Sequence, residues 1–229
     1  LAHYVPSLRL TMVPFMERLG TEADRRRVDR LMYRRTFKGV IDAVARYGYY
    51  DLVRVLTRWL SPTTVSPNGL TLLSILGIWA AIPLFALGQI GWGVASAWAG
   101  VLLDSIDGKL ARLTVNLSDA MGALEHAAAM PGLGLWFVAL GWHLTGGQLL
   151  TPSATSLACG VLVATFLADK VVSGAFKALY GYELFDARPV DAAFHLIAAR
   201  RNIQLLIVTV GAVVGAVDVA YLWMAAGMA

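Results

Sequence analysis

From position 68 onward the chain is a series of apolar runs, at roughly 68–88, 91–113, 118–144, 152–180 and 202–217, each near the ~20 residues that carry a helix across a bilayer. Such runs leave few alternatives. Inside a membrane the backbone finds no water to bond and must satisfy its own N–H and C=O groups, which a helix does. A final run, Val219 to Ala229, is short for a crossing by itself. The expected fold is therefore all-α and integral to the membrane: a bundle of six transmembrane helices, the sixth incomplete, with both ends cytoplasmic. Composition agrees, since only 15% of residues are charged against about 25% in soluble domains.

The first sixty residues read differently, and the chain divides into a juxtamembrane segment (1–60) and a membrane domain (61–229). Twelve of the 19 Lys and Arg precede Pro67, which predicts a cytoplasmic N-terminus by the positive-inside rule. Arg25 to Arg35 mixes charge with apolar residues at helical spacing, and Ile41 to Leu60 repeats the pattern with Tyr49, Tyr50 and Trp59, aromatics suited to an interface. A cytoplasmic amphipathic surface helix is the expected form; a solvated linker to a further domain is the alternative. Ser61-Pro62 and Ser66-Pro67-Asn68 then break the chain. The basic excess is read as topology and attraction to anionic membrane lipids. Nothing that reads bases accompanies it, so nucleic acid is not an expected partner. The lone Cys159 excludes an intrachain disulfide and is expected to pack. The chain opens at Leu1 without a signal-peptide pattern, and a piece trimmed from a longer protein is one expectation. The expected location is an inner (cytoplasmic) membrane of bacterial type.

Two carboxylates interrupt the second apolar run, in Asp104-Ser105-Ile106-Asp107-Gly108-Lys109-Leu110-Ala111-Arg112. An acid within a span is costly unless it faces protein, water or a cation. Asp104 and Asp107, three apart, share one helix face. Two acids on one stripe repel unless a positive charge lies between them, and a divalent cation with oxygen ligands suits that position.

At these residues the chain resembles the CDP-alcohol phosphotransferases, whose signature is Asp-x2-Asp-Gly-x2-Ala-Arg, about eight residues, then Gly-x3-Asp-x3-Asp. Asp104 to Arg112 matches the first half at every specified position. Ser66 to Thr71 is similar to the Pro-Asn-x-x-Thr that opens the family's first membrane helix, and Ile197 to Asn202 to an Arg-Arg-Asn before its fifth. The resemblance spans about residues 40–229 and implies transfer of a phosphate-bearing group from a CDP-linked donor to an alcohol, releasing CMP, in phospholipid or related biosynthesis. It implies Mg²⁺ or Mn²⁺ on Asp104 and Asp107, and a homodimer. Gly108 and Ala111 are small enough for a nucleotide to lie against the helix, and Arg112 suits a phosphate or one of the carboxylates. Asn68 and Thr71, one turn apart, are candidate nucleotide contacts, with Asn68 alternatively a helix cap.

The second half departs from the signature. With Gly122 as the motif glycine, the remaining acids fall at His126 and Met130. With a spacer of eight, Met121 replaces the glycine, and the acids fall at Glu125 and Ala129. The second register is preferred because Glu125 keeps a carboxylate as a third metal ligand. Either way the fourth acid, the family's expected general base, is missing. A naturally impaired relative, a replacement of Asp by Ala at Ala129, and His126 acting as the base are all open; the turn of about 100° between His126 and Glu125 weighs against the last.

Arg200, Arg201 and Lys170, with Lys177 and Arg188, are candidates for holding a phosphorylated acceptor, and plain positive-inside anchoring is the competing reading for each. His195 and His143 are expected to be structural or interfacial. The donor is expected to be a CDP-linked lipid, with a soluble CDP-alcohol and lipid acceptor left open. Beside the transferase stand a non-catalytic relative that binds nucleotide or lipid, and a transporter using the acids as ion sites. The transporter predicts internal symmetry of paired broken helices, which the sequence lacks.

Overall fold

A computed structural model of the chain describes residues 3–5, 10–12, 16–37, 41–197 and 200–229. Of the expected features, Lys38 in the basic N-terminal segment and Ala198-Ala199 ahead of Arg200 lie outside these. Apart from a short antiparallel hairpin, β1 (His3–Val5) with β2 (Leu10–Met12), the described structure is helical.

Two helices lie within the first sixty residues. In α1 (Glu22–Arg34), Thr21 and Asp24 close a capping box: the Asp24 N–H donates to the Thr21 hydroxyl (3.2 Å) and the Thr21 N–H to the Asp24 carboxylate (3.0 Å). Arg25, Arg26, Arg30 and Arg34 face outward while Tyr33 turns in, its ring 5.4 Å from both Phe37 and Tyr50. A π turn (Val44–Gly48) then leads into α2 (Tyr50–Leu60), breaking the continuous pattern expected from Ile41 to Leu60. Tyr49 sits at that break and is buried rather than interfacial. Its ring packs edge-on against Trp98 and its hydroxyl accepts from Asn202 at 2.8 Å. Trp59 remains 71% exposed.

Six helices make up the rest: α3 (Pro67–Ala86), α4 (Ile90–Leu113), α5 (Asp119–Leu144), α6 (Ala154–Tyr180), α8 (Arg201–Val214) and α9 (Val217–Met228), with a short α7 (Pro189–His195) before α8. By length and composition α3, α5 and α6 can each cross a membrane. The 24-residue α4 carries Asp104, Asp107, Lys109 and Arg112 in its second half. With 14 and 12 residues, α8 and α9 reach only about 21 and 18 Å at 1.5 Å per residue. Leu76, Leu157, Val213 and Trp223 point outward, a surface that suits lipid better than water.

The closest helix pairing is α3 with α4. A Cβ on Gly77 would lie 2.9 Å from the Gly100 backbone, so only glycine fits there, and the Ser96 hydroxyl bridges to the Gly77 carbonyl at 2.9 Å. The Trp136 indole of α5 donates to the Ile78 carbonyl at 2.8 Å, and Tyr221 of α9 to the Phe137 carbonyl at 2.7 Å. Ile78, Phe85, Val101, Leu140, Leu162 and Tyr221 are almost wholly buried in the shared core. Cys159 packs there as a free thiol.

Candidate functional site

Asp104 and Asp107 occupy one stretch of α4, and the turn after that helix brings Glu125 of α5 beside both. Asp107 is 2% exposed, and no hydrogen bond of full geometry reaches its carboxylate oxygens, although the Thr71 hydroxyl and the Gly108 N–H lie close to them. Thr71 stands next to it, but its hydroxyl donates to the Pro67 carbonyl at 3.1 Å. Asp104 is engaged instead with the guanidinium of Arg201 from the start of α8. Arg112 is a neighbour of all three acids and donates through Nε to the Thr36 carbonyl.

Among the described residues no three His, Cys, Asp or Glu side chains converge into a ready metal cage. Mg²⁺ does not need one, since it is commonly held by one or two carboxylates plus substrate phosphates and water. A buried carboxylate with both oxygens unpartnered is the kind of group that calls for an explanation such as an ion. By that test the residues are chemically suited to a divalent cation, since Asp104, Asp107 and Glu125 carry hard oxygen donors, with Asp104 here engaged by Arg201.

Asp104 also borders a cavity of about 480 Å³. Arg112, His126, Lys170, Arg200 and Arg201 line it, whereas Asn68, Thr71, Asp107, Gly108, Ala111 and Glu125 do not. The expected site residues thus divide into two groups that meet at Asp104. Asn68 is half-buried in the first turn of α3, and the cap position belongs to Ser66, so the capping alternative does not hold. A Cβ on Gly108 would come 3.3 Å from the tip of Arg112, a tight but yielding contact. Ala129 is 7% exposed in the apolar core. His126, one position past Glu125, is exposed at the cavity edge.

The basic candidates separate as well. Lys170 pairs with Asp169 at 2.7 Å and Arg200 approaches Asp42 at 3.9 Å, both at the cavity. Lys177 pairs with Glu183 (2.9 Å) and Arg188 with Asp191 (3.0 Å) away from it. His195 lines the cavity, stacked on Phe185 at 4.1 Å. Burial, with the Arg200 cation beside it, holds the His195 imidazole down to about 4. His143 lies elsewhere, against the Gly88 turn between α3 and α4.

Sequence reasoning missed a buried polar network. Asn202 donates through Nδ2 to Asp42 (2.7 Å) and to the Tyr49 hydroxyl (2.8 Å), the Ala45 N–H donates to Asp42 (2.9 Å), and the Tyr49 and Ser105 hydroxyls lie 3.4 Å apart. Ser105 follows Asp104 and Asn202 follows Arg201, so the network fixes the backbone on both sides of the Asp104–Arg201 pair. Asn202 closes the Arg-Arg-Asn stretch, which was the available signal; Asp42, 160 residues away, gave none. Lys109 was also passed over: its ammonium donates to the Ser105 carbonyl at 3.1 Å and sits 4.7 Å over the Phe37 ring.

No protein-family model matches the chain, and no characterised protein matches it.

Proposed function

We propose that the chain is a metal-dependent phosphotransferase of the CDP-alcohol type, embedded in a membrane by six helices and preceded by a juxtamembrane segment on the cytoplasmic side. One observation carries the reading: the orphaned, buried carboxylate of Asp107 beside Asp104 and Glu125, in the stretch that resembles the family's motif.

A divalent cation, when bound, neutralises charge developing on a diphosphate leaving group. Asp104, Asp107 and Glu125 would hold it. Arg112 would carry a phosphate oxygen, and Asn68, Thr71, Gly108 and Ala111 the nucleotide against α3 and α4. Lys170, Arg200 and Arg201 would hold the phosphate of a phosphorylated acceptor across the cavity. The acceptor oxygen bonds to the transferred phosphorus as the bond to CMP breaks, and the hydroxyl proton leaves to a base. His126, exposed at the cavity edge, is the candidate for that base.

A second reading has an observation of its own. Ala129 packs into the core where the family's fourth acid is expected, and general acid–base help is worth 10²–10⁴-fold. A relative that binds nucleotide or lipid without turnover fits that substitution. The deciding experiment incubates the purified chain with CDP-diacylglycerol, Mg²⁺ or Mn²⁺ and a panel of free and phosphorylated alcohols, following CMP. Release with one acceptor supports the transferase; retained CDP binding with no release under any condition supports the second reading. Because Ala129 is packed in the apolar core, Ala129→Asp is read only in protein whose melting temperature shows the fold kept; there it is expected to raise turnover at least tenfold, and an unchanged rate would show that this position is not where the base is wanted.

A further inference from the structure

Arg112 reaches out of α4 to a segment that lies outside the motif. Its Nε donates to the Thr36 carbonyl, in the turn that follows α1. Among the described residues this is its one hydrogen bond, although three acids are its neighbouring charges. The other end of the guanidinium lies over Gly108, where an added Cβ would come 3.3 Å from Nη2 and 3.4 Å from Nη1. A guanidinium is a rigid planar fork. Fixing Nε therefore leaves the Nη edge as two parallel donors with a set direction, the arrangement that clamps a phosphate.

The Thr36 carbonyl is itself held. Thr36 is 2% exposed, and its hydroxyl (2.7 Å) and N–H (3.0 Å) both donate to the Tyr33 carbonyl, closing a tight turn. Three rings brace that turn: Tyr33 meets Phe37 and Tyr50 edge-on at 5.4 Å, and Phe37 stacks on Tyr50 at 5.4 Å. A second tie joins it to α4. The Lys109 ammonium sits 4.7 Å over the Phe37 ring while donating to the Ser105 carbonyl at 3.1 Å, a cation–π contact. Lys109 and Arg112, three apart, share a helix face. Tyr33, Phe37, Lys109 and Arg112 all border the same cavity as Asp104.

A backbone carbonyl orders the arginine without cancelling its charge, as a carboxylate in that place would. Ordering one long side chain on binding weakens a ligand by about two- to tenfold, and a side chain ordered beforehand spares that loss. We infer that the turn over residues 33–37 positions Arg112 for a phosphate of the nucleotide, so that the segment ahead of the membrane helices is part of the site. The inference rests on the transferase reading for the nucleotide. It adds that Thr36 and Phe37 are positioning residues, acting through Arg112.

The test measures CDP affinity by calorimetry with Mn²⁺ present, and Mn²⁺ affinity alone, for the full chain in nanodiscs. Phe37→Ala removes the ring under Lys109, and Thr36→Val removes the hydroxyl that closes the turn. Each is expected to weaken CDP binding by about threefold or more and to leave Mn²⁺ affinity within about twofold, since the turn holds none of the three acids. Arg112→Lys keeps the charge but loses the Nε–H. In that background either change is expected to alter CDP affinity by less than about 1.5-fold, because the coupling has gone. If Phe37→Ala does not fold, Thr36→Val carries the comparison. Equal losses in the wild-type and Arg112→Lys backgrounds mark a turn that merely supports the fold and overturn the inference. So does Mn²⁺ affinity that falls in step with CDP affinity, or CDP affinity unchanged in the single variants. A wild type that binds no CDP contradicts the transferase reading and this inference together, whereas wild-type binding with any of those three results contradicts this inference alone.

Discussion

At the scale of single residues, the burial of a charge-bearing group sets what it can do. His195 is stacked on Phe185 beside Arg200, and its imidazole is held to about 4, below the ordinary ~6.5. The neutral ring belongs to the folded state, so its contribution is present above about pH 6.5 and is lost as pH falls from there toward 4. Thermal melts between those pH values are expected to show a fall that His195→Phe removes, worth no more than about 1–2 kcal/mol given the ring's partial exposure. An identical pH slope in the variant would refute the assignment. Residue identity also explains what the sequence made legible. Asp104, Asp107 and Arg112 announce themselves because charge within an apolar run is anomalous. Asp42, Tyr49 and Asn202 are anomalous only once they are buried together. The pairing of Asp104 with Arg201 joins residues 97 apart, a separation over which periodicity carries no information.

Among the elements, the long apolar helices were readable because a bilayer demands length and hydrophobicity together. The observed α3, α5 and α6 begin and end within two residues of the expected runs. The juxtamembrane segment was less legible, since its pattern of charged and apolar residues persists through a point where the backbone breaks. That break is held by the Asp42 network. Asp42→Ala would leave the Asn202 amide and the Ala45 N–H short of an acceptor, and is expected to cost about 1–3 kcal/mol in a denaturation assay; a loss within 0.3 kcal/mol, as an order-of-magnitude bound, would mean the network is not structural. The α4–α5 turn holds a different tension. Val115 is 82% exposed and sits at φ +56°, a left-handed conformation costly for a β-branched residue. Val115→Gly is expected to stabilise the protein by about 0.5–1 kcal/mol through relief of that strain, read as a higher melting temperature. A lower one would place the Val115 side chain in a contact that outweighs its backbone.

For the molecule as a whole, the packing of α4, α5 and α8 brings Asp104, Arg112 and Arg201 to one cavity and sets Asp107 and Glu125 beside Asp104. The membrane-embedded character follows from helices that are apolar on their outer faces. The transferase reading follows from what those helices enclose. Its central claim is that Asp107 and its neighbours grip a divalent cation against a diphosphate. The most direct measurement is a Mn²⁺ titration of the purified chain, followed by electron paramagnetic resonance with and without CDP, in the wild type and in Asp107→Asn. The account predicts Mn²⁺ binding that tightens when CDP is present, by coupling of the two ligands, and a loss of at least a hundredfold in Asp107→Asn with the fold intact. Equal Mn²⁺ affinity in the two proteins, or binding that CDP leaves untouched, would contradict it.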